Sequence, residues 1–234
     1  MRPERASAAT IRGMPLNAPL PEPLPDNPLL LAAAWLAEAV ARRDQPNPNS
    51  MVLATCDAAG NPSARVVLAK DIVAEPGYLH FVSNYDSRKG RELAANPRAA
   101  LVMHWDHAHR QLRIEGIVRR TAAAESDAYF ATRAWASKLG AHASAQSEPV
   151  ASRAALQHKL DAVVARYGTQ RGTDGADIPR PAHWGGYLLW AQSVELWVEG
   201  DARLHDRARW ARTLTQDVQG AISAGPWSGT RLQP

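Results

Sequence analysis

The sequence predicts a mainly β domain with flanking helices, built as an antiparallel barrel that is closed or split. Three observations carry that expectation. The runs 51-MVLATCD-57, 63-SARVVLAKDI-72 and 78-YLHFVSN-84 are rich in β-branched and aromatic residues. They are joined by AAGNP and AEPG, which are turn chemistry too short for a crossover, so neighbours pair antiparallel. Strands and helices do not alternate as a parallel doubly wound sheet requires, and neither GxGxxG nor the GxxxxGK phosphate loop occurs.

The remaining elements follow in order. Residues 1–27 are rich in Pro and Ala without a period and read as a flexible N-terminal arm. A single domain then spans 28–234. An amphipathic helix is expected at 28–43, and 44-DQPNPNS-50 is a loop. After the meander, 87-SRKGRELAANP-97 reads as a short helix stopped by Asn96-Pro97. Strands follow at 98–105 and 110–120, and helices at 122–133 and 151–167. The Gly-rich loop 168–179 is longer than a tight connection needs. It leads to 184-WGGYLLWAQSVELWVEG-200, read as two strands. In 203-RLHDR-207, an extended chain would align Arg203, His205 and Arg207 on one face.

Composition narrows the function. The chain has 234 residues, 45% hydrophobic and 21% charged, enough for one sizeable core. No apolar run reaches the roughly 20 residues of a membrane span. Arg and Ser near the start suggest an organelle transit peptide, but Glu4 and the Pro-rich stretch fit a flexible tail better. The one cysteine, Cys56, excludes a disulfide framework and makes a reducing cytoplasm the default. The net charge of +4 invites a nucleic-acid partner, but the basic residues are scattered among acids, so a small anionic ligand fits better.

Several clusters suit such an anion. Ser87 fits a helix N-cap, and Arg88 and Lys89 add cations at a helix N-terminus, where they are unfavourable unless an anion joins them. Arg65 and Lys70 are five apart in one strand, so they face opposite ways unless a bulge intervenes. The competing reading of Lys70 is an edge-strand guard against aggregation. On one helix, Tyr129 and Arg133 would share a face with Ser137 just beyond, a hydroxyl–guanidinium–hydroxyl grip for phosphate. The histidines in 104-HWDHAHR-110 sit at a hairpin tip with no second ligand group, and read as an exposed loop rather than a metal site.

Taken together, the segments SARVVLAK, SNYDSRKGRELAANPRAALVMHW, RQLRIEG, YFATRAWASKLGAHASAQS, PRPAHWGGY, VELWVEG and RLHDR resemble the pyridoxamine 5′-phosphate oxidase family, in order from about residue 51 to 207. The resemblance implies a split-barrel homodimer in the cytoplasm with FMN at the subunit interface. It implies FMN contacts at Arg65, Val66, Val67, Leu68, Lys70, Ser83, Arg88, Lys89, Gln111, Gln146, Ser147, Trp197 and Arg207. It implies that Lys70, Tyr129, Arg133 and Ser137 hold the phosphate of a pyridine substrate, and that Arg203 and His205 cover its ring as the catalytic pair. Hydride would pass from the substrate C4′ to the flavin, and O2 would leave as H2O2. The LQP ending and PxNP-type start look like the phenazine-biosynthesis branch, whose members oxidise reduced tricyclic intermediates with FMN. The complete substrate-phosphate set favours the phosphorylated pyridine, because buried cations without an anion cost free energy. A flavin- or haem-binding protein without catalysis is the third possibility on the same fold.

Overall fold

A computed structural model describes residues 18–171 and 177–234. In order, the elements are α1 (Pro28–Arg42), β1 (Ser50–Cys56), β2 (Pro62–Val73), β3 (Tyr78–Asn84), α2 (Arg88–Ala95), β4 (Arg98–Trp105), β5 (Arg110–Arg120), α3 (Ala123–Ala131), α4 (Trp135–Ala143), α5 (Arg153–Tyr167), β6 (Trp184–Val198), β7 (Asp206–Ala211), β8 (Leu214–Gln216), β9 (Ile222–Ala224) and β10 (Ser228–Leu232). The strand order β6-β3-β2-β1-β4-β5 closes on itself through β5–β6 pairing, and β7 and β10 extend the sheet beyond β6. The result is a six-stranded antiparallel barrel with a side branch.

β6 makes that architecture possible. Its first half pairs with β3, its last residues pair with β7, and β5 runs along nearly its whole length. The β5–β6 register slips between Glu115 and Gly116, where Gln192 is the extra residue on β6. The two strands expected over 184–200 are thus one strand of 15 residues with a bulge. No turn residue interrupts it, and a bulge supplies the bend instead. Gly116 sits at the slip, and a Cβ there would lie 1.9 Å from the Trp190 carbonyl oxygen.

Inside the barrel, alternate residues of β1, β4 and β5 interdigitate. Leu53, Leu101, Met103, Leu112 and Ile114 are fully buried, with Phe81 and Tyr187 stacked at 5.1 Å. Outside, Val52 and Val66 pair across β1–β2 and stay exposed, as does Leu68. α1 starts at Pro28, its N-cap Asn27 accepting from the Leu29 N–H at 3.0 Å. It packs Trp35 edge-on against Trp105 at 6.4 Å.

The barrel strands stand within one or two residues of their expected places. Other expectations change. The helix expected at 122–133 ends at Ala131, and a second helix, α4, starts at Trp135. Residues 203–205 are not strand. A short 3-10 turn covers Asp201–Arg203, with Ala202 and Arg203 at φ of 52° and 66°, and β7 starts only at Asp206. Of the expected arm 1–27, residues 1–17 lie outside the described residues. The remainder is tied down: the Leu20 N–H donates to Asp206 at 2.7 Å, the Trp210 indole donates to the Pro25 carbonyl at 2.8 Å, and Arg231 pairs with Glu22. Among the described residues no helix is long and apolar enough to cross a membrane.

Replacing Gly116 with Ala will force β5 and β6 apart at the bulge. The unfolding free energy is expected to drop by about 3 kcal/mol, seen as a lower urea midpoint with an unchanged m value.

Candidate active site

The first group of candidate residues gathers where α2 meets β1 and β2. Ser87 caps α2, its hydroxyl accepting from the Gly90 N–H at 3.3 Å. Glu92, one turn on, is buried and accepts hydrogen bonds from Thr55, Ser63, Arg65 and Arg88. Burial pushes its carboxyl up, but those four donors outweigh it and hold it down at about 2. Arg65, also bonded to Thr55 and Ser63, and Arg88 are therefore gripped by a resident anion. Lys89 differs. It is 8% exposed, and its amine reaches the Gln146 side-chain oxygen at 2.6 Å and the Ser87 hydroxyl at 3.3 Å, both neutral. Burial, with Arg65 nearby, lowers it to about 8. Gly90 follows in the first turn of α2. A Cβ there would stand 2.0 Å from the Tyr85 carbonyl oxygen, so it lets α2 sit on the β3–α2 turn. Ser147 adopts a φ of 74° beside Gln146, and Ser83 is buried on β3.

A second group forms beside β2 and β3. The β2–β3 register slips between Ala69 and Asp71, so Lys70 is a bulged residue. Of the two alternatives left by the five-residue spacing from Arg65, opposite faces or a bulge, the bulge is the one present. Arg65 and Val67 are part-buried, with Val67 packed on the core, while Val66 and Leu68 face outward. Lys70 lies 5.7 Å from the centroid of the Tyr129 ring. His80 meets that ring edge-on at 5.9 Å, its imidazole pushed down by burial. Tyr129 stacks on Trp184 at 6.2 Å, and the Arg133 guanidinium covers Trp184 at 4.6 Å. Its Nη1 is buried without a hydrogen-bond partner among the described residues, and burial lowers its proton affinity. The single helical face expected for Tyr129, Arg133 and Ser137 is corrected. Tyr129 lies in the last turn of α3, Arg133 in the elbow, and Ser137 stands exposed on α4. The N–H groups of Thr132 and Arg133 turn back to the Tyr129 and Phe130 carbonyls, and Ala134, with extended backbone, precedes the new helix at Trp135.

The third group is a cross-strand row. Gln111 of β5, Trp197 of β6 and Arg207 of β7 are register partners, all half-buried. One step along lies Glu195, 7% exposed, which binds Arg207 at 2.7 Å and Arg113 at 3.0 Å. Arg207 also donates to the Gln233 carbonyl at 3.0 Å. His205 leans on Trp197 at 4.6 Å, and its Nδ1 accepts from the Gly200 N–H at 3.3 Å. Arg203 is exposed in the left-handed turn, so it does not share a strand face with His205 and Arg207. Left-handed non-glycine residues each cost on the order of 1–3 kcal/mol, a cost usually kept where function needs the geometry.

The histidine-rich hairpin tip is a 3-10 turn at Asp106–Ala108, and no metal-binding group of three or more His, Cys, Asp or Glu exists among the described residues. Sequence reasoning passed over Glu92, Glu195, His80 and Trp184. Glu92 had a signal in its i,i+4 spacing from Arg88. Glu195 alternates with Trp197 along its strand.

Residues 37–167 match the pyridoxamine 5′-phosphate oxidase family, and residues 184–234 match the pyridoxine 5′-phosphate oxidase C-terminal dimerisation region. The chain is 44% identical over 210 residues to a pyridoxine/pyridoxamine 5′-phosphate oxidase of Cereibacter sphaeroides, covering 89% of this chain and 96% of the relative. The enzyme of that name from Gluconobacter oxydans is 46% identical over 209 residues, covering 89% and 94%. Among solved structures, PhzG from Burkholderia lata in complex with tetrahydrophenazine-1-carboxylic acid superposes with a TM-score of 0.75 at 29% identity, covering 90% of this chain and 94% of that one. A pyridoxamine 5′-phosphate oxidase-related, FMN-binding protein from Nostoc punctiforme shares the fold, with a TM-score of 0.62 at 16% identity over 85% and 95%. With the barrel, its C-terminal branch and these matches spanning nearly the whole chain, the protein belongs to the pyridoxamine 5′-phosphate oxidase family.

Proposed function

We propose that this chain is an FMN-dependent oxidase that converts pyridoxamine 5′-phosphate or pyridoxine 5′-phosphate to pyridoxal 5′-phosphate, with O2 reduced to H2O2. The observation that carries this reading is Arg133, a half-buried guanidinium with an unpartnered Nη1, set beside Tyr129 and the bulged Lys70. A buried cation with no counter-charge is costly, and a phosphate dianion removes that cost. The relatives named for this activity support it.

The residues present fit FMN. Lys89, buried among neutral oxygens at the capped start of α2, is a receptor for the cofactor phosphate, with Arg65 and Arg88 alongside. Gln111, Trp197 and Arg207 offer a donor, an apolar wall and a cation to the planar ring. When bound, FMN supplies the hydride acceptor and passes the electrons to O2. The protein's part is positioning. Lys70, Tyr129, Arg133 and Ser137 hold the substrate phosphate, while Arg203 and His205 cover the pyridine ring. Neutral His205 carries its proton on Nε2, because Nδ1 accepts from Gly200.

These roles need two chains. Trp184, under Arg133, and Trp197, beside His205, stand 13 residues apart on one strand, on the order of 40 Å at 3.3 Å per residue. No pyridine ester spans that distance. A second copy, joined through the C-terminal dimerisation region and the exposed Val52, Val66 and Leu68, brings one chain's phosphate group to the other chain's Arg203 and His205. The assembly is thus a homodimer with FMN at the interface.

The likeness to PhzG favours a second reading, oxidation of reduced phenazine precursors. Such a substrate has no phosphate for Arg133 and Lys70. Purified protein supplied with FMN is expected to show flavin absorbance bands and to form peroxide from pyridoxamine 5′-phosphate. No turnover at millimolar substrate with flavin bound transfers the assignment to the phenazine chemistry.

Arg203→Ala and His205→Ala are each expected to lower kcat/KM by about 10²-fold or more while the protein stays yellow. A rate equal to wild type removes both from the site.

Lys89 gives a pH signature. Its folded value of about 8 lies below its ordinary 10.5. Between those values the unfolded chain holds more protons, so stability rises with pH across that window and the penalty is complete below about 8. Anion binding needs the ammonium form. FMN affinity is therefore expected to fall by up to about tenfold per pH unit above pH 8, and Lys89→Met to flatten that slope in a fluorescence titration.

A further inference from the structure

The elbow that carries Arg133 is held by a segment that the barrel itself does not require. Lys138 lies on α4, one residue beyond Ser137, and is 3% exposed. Its ammonium donates to the Ala131 carbonyl at the end of α3, at 2.9 Å, and to both carboxylate oxygens of Asp177 at 2.6 and 2.7 Å. One buried cation thus ties the last carbonyl of α3 to the body of α4 across the turn that contains Arg133.

The chain from Asp177 onward continues the same attachment. Ile178 is buried in a small second core with Phe130, Leu139 and Trp184. The Pro179 carbonyl lies 2.8 Å from His142 Nε2 of α4, and Arg180 binds Asp127 of α3 at 2.7 Å and the Trp184 carbonyl at 2.6 Å. Phe130 and Trp184 are the two rings under the Arg133 guanidinium. The segment therefore fastens both helices of the elbow and the platform beneath it.

We propose that Lys138 and Asp177 are positioning residues for the substrate-phosphate grip, setting the α3–α4 elbow so that Tyr129, Arg133 and Ser137 converge on one anion. The inference rests on the reading of those residues given under Proposed function. Lys138 is buried and fully engaged by Asp177 and a carbonyl, so it acts through the elbow and does not itself bind the substrate.

Lys138→Met and Asp177→Asn test this, the second keeping side-chain size if the first folds poorly. Each variant is expected to raise KM for pyridoxamine 5′-phosphate about tenfold, with kcat changed less than about threefold. The double variant should lose no more than the worse single one, and Lys138→Arg should restore part of the loss. Turnover of unphosphorylated pyridoxamine should stay at the wild-type level, because it has no phosphate to grip. Equal losses on both substrates would indicate general damage and overturn the proposal. Hydrogen exchange gives a readout free of activity: amides 131–137 should exchange faster in Lys138→Met while those of β4 and β5 keep wild-type protection. Unchanged exchange at the elbow overturns the clamp. Wild-type protein inert toward pyridoxamine 5′-phosphate overturns the oxidase reading instead, and the exchange result then decides the clamp alone.

Discussion

The whole arrangement depends on the shared pairing of β6. One strand closes the barrel with β5, continues the sheet to β3 at its start, and passes the sheet to β7 near its end. A regular strand of 15 residues would carry its twist past the point of closure. The slip at Gly116 and Gln192 lets it bend where its partners change. Both halves of the candidate site are measured from this strand. Trp184 at its first residue supports Arg133, and Trp197 near its last faces His205 and Arg207. Distance along a single strand, rather than any flexible element, separates the two groups, which is why the proposed reading joins them through a second copy.

Electrostatics divides the cations into two kinds. Arg65, Arg88, Arg113 and Arg207 have carboxylate partners in Glu92 and Glu195, so their positions are set before any ligand arrives. Lys89 and Arg133 have no carboxylate hydrogen-bonded to them among the described residues: Lys89 donates to neutral oxygens, and Arg133 lies over aromatic faces. Buried charges of the second kind are where binding of an anion gains most, because their desolvation has already occurred on folding. One of the two stands in each proposed phosphate pocket, which matches two ligands with one phosphate each.

Much of the fold was legible in the sequence. Strand texture and short turns located β1 to β5 because alternation and turn residues are local signals. The spacing of Arg65 and Lys70 left open whether they face opposite ways or a bulge intervenes, and the slip between Ala69 and Asp71 shows the bulge. The break between α3 and α4 escaped because Thr132 to Ala134 contain neither Gly nor Pro, and the turn is set by packing on Trp184. The left-handed Ala202–Arg203 turn escaped for a similar reason: alanine and arginine carry no local sign of positive φ. Arg65, Lys70, Arg88, Lys89, Tyr129, Arg133, Ser137 and the 203–207 stretch stood out by residue type and spacing, whereas Gln111, Gln146 and Trp197 entered only through the family resemblance. Their grouping was not legible, because Gln111, Trp197 and Arg207 become neighbours only through strand register, and Glu195 has meaning only beside two arginines.

Glu92 has one more implication. Two guanidiniums side by side, Arg65 and Arg88, would repel each other without a counter-charge. Here a carboxylate on α2 stands in as a permanent tenant, so the pocket keeps its shape while vacant. On the proposed reading, a chain without its flavin keeps Arg65 and Arg88 in position to receive one.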